Sequence, residues 1–398
     1  MKRTASQPRR RPARRRDRVQ DRPARGKSRE VPARATRRTW AEVDLDAITA
    51  NLHAVRAQVG PGTRVMAVVK ADGYGHGAVR VARQAVEAGA DWLGVATLEE
   101  GLKLRRAGIR APVLVLGSVA AADVADAVRH DLGLTIASSD ALPAFARVRR
   151  RVRLHLKIDT GMTRLGVTVD EVPSVLNRVA GAGLRLEGVY THLASAEEPD
   201  HSFTRDQLNR FDAVLPQVRA RFPEVIVHAA NSAAALGHPR SRYDLVRVGL
   251  AMYGLYPDRQ FTSQVTLIPA MRLLSRVVRT VRANPGTAVS YGATYRVLRP
   301  TTIATIACGY ADGYPRLAGT NGEVIVSGTR VHVAGRVCMD HLMVDAGDSP
   351  VHPGDTVELF GRGVSVDAVA EWAHTISYEV VCGVGLRVPR VYLRGRAR

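Results

Sequence analysis

Residues 64–108 read RVMAVVKADGYGHGAVRVARQAVEAGADWLGVATLEEGLKLRRAG. The stretch opens on the apolar run Val65–Val69. An amphipathic segment, Ala78–Ala88, follows and stops at Gly89. A second apolar run, Trp92–Ala96, then precedes a second amphipathic segment, Leu98–Ala107, which stops at Gly108. Strands that are apolar throughout are covered on both faces, and glycine just past a periodic segment ends a helix. Working outward, the same alternation predicts strands at Val113–Leu116, Leu134–Ile136, Val152–Ile158, Leu186–Tyr190, Val225–His228 and Leu245–Val248, with a long helix at Phe203–Phe222 between two of them. Eight strand–helix units in about 200 residues predict an α/β fold of the (β/α)8 TIM-barrel type. A doubly wound open sheet is the alternative, but Asp72–Gly77 lacks the G-x-G-x-x-G spacing of a dinucleotide site.

Beyond Pro269 the pattern changes. Leu273–Val281, Thr301–Ala307, Glu323–Val326, Arg330–Val337 and Thr356–Phe360 read as strands, separated by the turn signals Asn284-Pro285-Gly286, Ser327-Gly328 and Pro353-Gly354-Asp355. Val366–His374 is the main helix. The expected organisation is a basic, disordered arm over 1–37, the barrel over 38–270, and a mostly antiparallel β domain over 271–398.

Residues 1–38 hold 14 Arg and 2 Lys against three acids, a net +13 of the chain's +21. The arm has almost no large apolar residues and cannot bury enough surface to fold alone. Nucleic acid is not expected as a partner, because only this arm points to it. No apolar run approaches the roughly 20 residues that span a bilayer, and no apolar segment follows the arginines as a secretory signal requires. Three cysteines, Cys308, Cys338 and Cys382, form no C-x-x-C pair and no disulfide framework. The expected location is cytoplasmic, and no metal is expected.

In such barrels reactive groups sit where strands end. Lys70, Arg164, His192, Asn231 and Ser232 occupy such places, and Arg247 lies in the eighth strand just before Gly249. Of 58 basic residues only five are lysine: Lys2, Lys27, Lys70, Lys103 and Lys157. Arginine neither loses its proton usefully nor forms a Schiff base, so the lysines kept in the folded region are candidates for lysine-specific chemistry. Lys103 sits among Glu99, Arg105 and Arg106 and reads as a surface residue, whereas Lys70 and Lys157 fall at or within barrel strands. Ser232 and the Gly249 backbone lie where such barrels bind phosphate. A reactive lysine beside a phosphate pocket fits pyridoxal phosphate or a sugar-phosphate aldolase, and position alone leaves both open.

The segment Ala67–Gly77, AVVKADGYGHG, resembles the cofactor-lysine signature of bacterial alanine racemases. So do Asp159–Gly166 (DTGMTRLG), Thr191-His192, Ala230-Asn231-Ser232, Arg247-Val248-Gly249, Ser290–Tyr295 (SYGATY), Gly309–Gly313 (GYADG), Cys338-Met339-Asp340 and Tyr378-Glu379. The resemblance implies a pyridoxal-phosphate barrel with a β domain, working as a homodimer with shared active sites and taking alanine as substrate. It implies that Lys70 carries the cofactor and that Tyr291, from the partner chain, is the second acid/base. Tyr74, Ser232, Gly249, Leu250 and Tyr378 hold the phosphate, with Asn231 beside them. Arg247 faces the pyridine nitrogen, and His192 links Arg247 to Tyr291. Arg164 contacts the cofactor and the substrate carboxylate, while Met339 and Tyr310 line the substrate side from the other chain. Lys157 matches a lysine that many members carry as a carbamate; its plain alternative is an ion pair with a nearby acid such as Asp159. His341 stands where many members have Gln. Other readings of the same fold are a serine or broad-specificity racemase, a pyridoxal-phosphate decarboxylase, which would place an acid where Arg247 stands, and a non-catalytic pyridoxal-phosphate protein. A racemase would supply D-alanine for peptidoglycan.

Overall fold

The computed structural model describes residues 38–148, 152–319 and 321–395; the arm at 1–37 lies outside them. The first strand, β1 (Trp40–Asp44), leads into the helix Leu45–Val59, which Asp44 caps by accepting from the Asp46 and Ala47 amides at 3.0 Å each. The barrel strands follow: β2 (Arg64–Val68), β3 (Trp92–Val95), β4 (Val113–Val115), β5 (Gly133–Ile136) and β6 (Leu154–Asp159). A two-residue strand, β7 (Val167–Thr168), pairs on β6 outside the ring, and β8 (Leu186–Tyr190), β9 (Ile226–His228) and β10 (Leu245–Val248) complete it. Every pairing in the path β10-β2-β3-β4-β5-β6-β8-β9 is parallel.

The ring is nearly closed. Between β9 and β10 no continuous ladder runs. The Asp244 amide donates to the Val227 carbonyl (3.0 Å), the Arg247 amide donates to the Ala230 carbonyl (2.9 Å), and the Asp244 carboxylate accepts from the Val227 amide (2.8 Å). Met66, Trp92, Leu114, Ile226 and Leu245 form an apolar cluster of their own inside the ring, apart from the main core. The predicted helices stand at Ala78–Glu87, Leu98–Arg106 and Ser202–Arg221, and Gly89 and Gly108 adopt φ of 94° and 80°, as helix stops do.

The second sheet begins with the long strand β11 (Met271–Ala283). A short hairpin, β12 (Ala288–Val289) with β13 (Tyr295–Arg296), precedes β14 (Thr301–Ile306), β15 (Glu323–Val326), β16 (Thr329–Val333), β17 (Leu342–Asp345), β18 (Thr356–Phe360) and β19 (Arg390–Leu393). The order β14-β17-β16-β15-β18-β11, with β11 pairing back on β14, closes a six-stranded antiparallel barrel. Ser327-Gly328, with φ of 48° and 88°, makes the two-residue hairpin between β15 and β16.

One strand falls outside the sequence expectation. β1 pairs antiparallel with β11 and parallel with β19, so the first described strand joins the second sheet and not the ring. Its three central residues, Ala41, Glu42 and Val43, are all buried, and no turn signal marks the crossing. Asn51, fully buried in the following helix, ties that helix to the segment between β10 and β11. Its side chain donates to the Met252 and Ile268 carbonyls (3.1 and 2.8 Å) and accepts from the Ile268 amide (2.7 Å).

Candidate active site

β2 stops at Val68, two residues before Lys70, where the sequence pattern had placed the strand end. Lys70 opens a tight turn in which Ala71, Asp72, Gly73 and Tyr74 all adopt left-handed conformations, with φ of 51°, 51°, 66° and 51°. Such a conformation costs an L-residue roughly 1–2 kcal/mol, so the surroundings must hold it in place. The Gly73 amide donates to the Val69 carbonyl (2.9 Å) and the Gly77 amide to the Asp72 carbonyl (2.7 Å). The Asp72 carboxylate accepts from the Ala78 amide (3.2 Å) and pairs with Lys103 (2.7 Å), which is half exposed. The turn puts Lys70 and Tyr74 on the wall of a single cavity of about 470 Å³.

That cavity is lined by Lys70, Tyr74, Lys157, Arg164, His192, Asn231, Ser232, Arg247, Gly249, Leu250 and Tyr378. These residues come from seven separate stretches of sequence. No Asp or Glu lines it, and among the described residues none of its four cations is paired with a carboxylate. The nearest acids are otherwise engaged. Glu100 accepts from the Ala71 and Ala96 amides (2.6 and 2.7 Å), and Asp159 accepts from the amides of Gly161, Met162 and Thr163 (2.9–3.1 Å). Asp159 therefore ties its own loop and does not pair with Lys157. A cavity with this charge selects an anionic ligand.

Burial, then the Arg164 charge, lowers the Lys70 pKa from the ordinary lysine value. The same two causes in the same order, joined by Arg247, bring Lys157 down to about 8. Lys157 lies 5.7 Å from the centre of the Tyr190 ring. His192 is held well below its usual value by burial and by Arg247, and is neutral at physiological pH.

Arg247 is 4% exposed and held through its two terminal nitrogens. It donates to the Thr191 and Ala229 carbonyls (2.8 Å each), to His192 Nδ1 (3.0 Å) and to His228 Nδ1 (3.1 Å), and stacks 5.2 Å over the Tyr190 ring. On another wall, Ser232 Oγ accepts from the Gly249 and Ala251 amides (3.0 and 3.3 Å). A Cβ on Gly249 would lie 2.5 Å from Tyr74 Oη, so only glycine admits that hydroxyl. The Tyr74 and Tyr378 rings stand 6.2 Å apart, and burial pushes Tyr378 up to about 12, so both stay protonated donors. Asn231 commits its side-chain oxygen to the Ala234 amide (2.9 Å).

Three expected residues lie elsewhere. Tyr291, Met339 and Tyr310 are 69%, 53% and 41% exposed and do not line the cavity of their own chain. Tyr291 is carried by a strained turn: Ser290, Gly292 and Ala293 have φ of 66°, 74° and 48°, and Ser290 Oγ donates to the Arg336 carbonyl (2.6 Å). Met339 and Tyr310 sit side by side, joined through Tyr310 N to Cys338 O (3.0 Å) and Ala311 N to Met339 O (3.0 Å). Sequence reading missed Tyr190, His228 and Cys382. Tyr190 and His228 end predicted strands, the same signal that picked out their neighbours.

Two family models match the chain: "Alanine racemase, N-terminal domain" over residues 43–257 and "Alanine racemase, C-terminal domain" over 270–392. The chain belongs to the alanine racemase family. An alanine racemase of Desulforamulus reducens is 46% identical over 364 residues, covering 89% of this chain and 98% of that protein. One from Symbiobacterium thermophilum is 45% identical, covering 89% and 97%. The crystal structure of the Streptomyces lavendulae alanine racemase superposes with a TM-score of 0.86 at 38% identity, covering 90% of this chain and 98% of that one. Alanine racemases are pyridoxal-phosphate-dependent isomerases, and the cavity fits that cofactor on its own evidence. It offers an amine of lowered basicity for the aldehyde, a cation, Arg164, for the phenolate, and at Gly249 a gap beside the Tyr74 hydroxyl.

Proposed function

We propose that the chain interconverts L- and D-alanine as a homodimer, with Lys70 and the partner's copy of Tyr291 moving the Cα proton from opposite sides. The observation that carries this reading is one cavity lined by four cations and no acid, with Lys70 among them as an amine of depressed pKa. When bound, pyridoxal phosphate supplies a conjugated ring into which the electrons of the broken Cα–H bond spread.

The protein's residues divide the remaining work. Lys70 Nζ anchors the cofactor and moves the proton on the D side. Tyr291 Oη moves it on the L side, each group returning the proton the other removes. Tyrosine's reference pKa of about 10 makes it a poor base unaided. His192 supplies the aid: its Nδ1 accepts from Arg247, so its Nε2 carries the hydrogen and can donate to a tyrosinate. Arg247 keeps its proton and meets the ring nitrogen as a donor only. Tyr74, Ser232, Gly249, Leu250, Tyr378 and Asn231 hold the phosphate. Arg164 orients the substrate carboxylate, and Met339 and Tyr310 of the second chain close the substrate side.

Lys157 serves as a carbamate that steadies Arg164; a carbamate forms on a neutral amine, which a pKa of about 8 provides. The working units are the barrel over 38–270, less β1, and the β domain over 271–398, whose sheet β1 joins. The enzyme acts in the cytoplasm, supplying D-alanine for peptidoglycan; among the described residues no helix is long and apolar enough to cross a membrane.

The test is an absorption spectrum of the purified protein before and after borohydride, with peptide mapping of the reduced adduct. The expected result is a visible band, lost on reduction, and a pyridoxyl group on Lys70. Turnover of L-alanine, L-serine and L-lysine sets the substrate; serine preferred over alanine overturns the assignment to alanine.

A further inference from the structure

Arg247 is buried, charged and in contact with four neutral acceptors, but with no anion. One of those acceptors begins a chain that runs down the barrel axis. His228 Nδ1 accepts from Arg247 (3.1 Å), and His228 Nε2 lies 3.0 Å from His155 Nδ1. His155 Nε2 lies 3.5 Å from Glu187 Oε2, within reach of the carboxylate's charge but without the geometry of a hydrogen bond. Glu187 is held in turn by a two-pronged contact with Arg153 at 3.0–3.1 Å, at the barrel mouth opposite the cofactor cavity.

Geometry fixes the hydrogens. A guanidinium only donates, so His228 Nδ1 is an acceptor and its hydrogen sits on Nε2. His155 Nδ1 must then accept, which leaves its hydrogen on Nε2, facing Glu187. Both imidazoles are fully buried, and burial keeps each below its usual pKa, so neither carries a charge that would break this order. Burial opposes the charge on Glu187, but the contacts from His155 and Arg153 outweigh it and leave its pKa lowered. The chain is built with care for space. A Cβ on Gly188 would fall 2.1 Å from His155 Nδ1, and the β6–β8 register shifts between Leu154 and His155.

We propose that Glu187 is a positioning residue for the reaction: through His155 and His228 it polarises the acceptor that holds Arg247 against the cofactor ring. The Glu187 charge, 3.5 Å from His155 Nε2, polarises that imidazole and makes its Nδ1 a better acceptor for His228, which in turn becomes a better acceptor for Arg247, so anionic character reaches Arg247 without an anion entering the cofactor cavity. A carboxylate placed directly beside Arg247 would neutralise the field that selects the anionic ligand; the two imidazoles keep it at a distance. The proposal rests on Arg247 facing the ring, as read above.

The test uses the holoenzyme labelled with 15N-histidine. In the wild type the expected spectrum shows His228 and His155 as neutral Nε2–H tautomers. Glu187→Gln is expected to shift the resonances of both histidines, retain the cofactor band, and lower kcat about fivefold with KM unchanged, less than loss of a direct charge-assisted bond would cost. Arg153→Gln removes the other half of the Glu187 contact but not its charge, and is expected to leave the His228 resonances and kcat near wild type. The proposal is overturned if wild-type His228 is protonated or carries its hydrogen on Nδ1, if Glu187→Gln leaves His228 unmoved, or if Arg153→Gln lowers kcat equally. The first of these measurements needs no variant. A colourless wild type that pyridoxal phosphate does not tint would instead sink the reading of the cavity itself.

Discussion

Individual side chains carry the sharpest expectations. Lys70→Ala is expected to abolish the visible band and nearly all turnover, because the other lysine in the cavity, Lys157, lies on a different wall strand, β6. Tyr291→Phe is expected to keep the band and slow both directions on the order of 10³-fold, within the usual reach of a lost acid/base; spectra and initial rates from each enantiomer check it. For Lys157 the sign follows from its pKa of about 8, below the ordinary lysine value. The neutral amine takes up CO2, so at fixed dissolved 13CO2 the 13C carbamate signal is expected to grow as pH rises through 8. It should fade below that and be absent in Lys157→Arg. Much of this was legible in the sequence because the chain uses arginine wherever a plain cation serves, so each lysine stands out. What could not be read was contact: nothing in the spacing says that His228 touches Arg247, since they are 19 residues apart and meet only when β9 and β10 lie side by side.

Among elements, the barrel strands were legible to within a residue or two because most are apolar on both faces and alternate with helical segments. The turn after β2 was not. A run of left-handed residues containing Ala71, Asp72 and Tyr74 defies local preference and exists only because Val69, Ala78 and Lys103 hold it. β1 was missed for a related reason: its partners, β11 and β19, lie more than 200 residues away. Two glycines make testable claims at this scale. Gly249→Ala drives a methyl to 2.5 Å from Tyr74 Oη, so weaker cofactor retention on dialysis is expected, with the fold intact by circular dichroism. Gly188→Ala places a methyl against the His155 ring inside the barrel and is expected to cost about 1–3 kcal/mol of stability, measured by denaturant unfolding.

At the scale of the whole molecule, the proposed dimer requires the exposed Tyr291 of one chain to enter the cavity of the other. If sites are shared, inactive Lys70→Ala and Tyr291→Phe chains refolded together in equal amounts form mixed dimers in which one site has both groups intact. Random pairing then restores about a quarter of wild-type activity, whereas sites confined to one chain restore none. The incomplete ring has a consequence of its own. β9 and β10 flank the gap in the ladder, and the segments that follow them bring Ser232 and Gly249 to the phosphate wall, while Arg247 rises from β10 itself. A ligand held by these residues would lie across a seam like a clasp, gripping both banks where backbone bonding is sparse. Amide deuterium uptake along Ile226–Ala230 and Asp244–Val248 should slow on cofactor loading more than in any other pair of neighbouring staves, so that the vitamin acts as the barrel's missing hoop as well as its reagent.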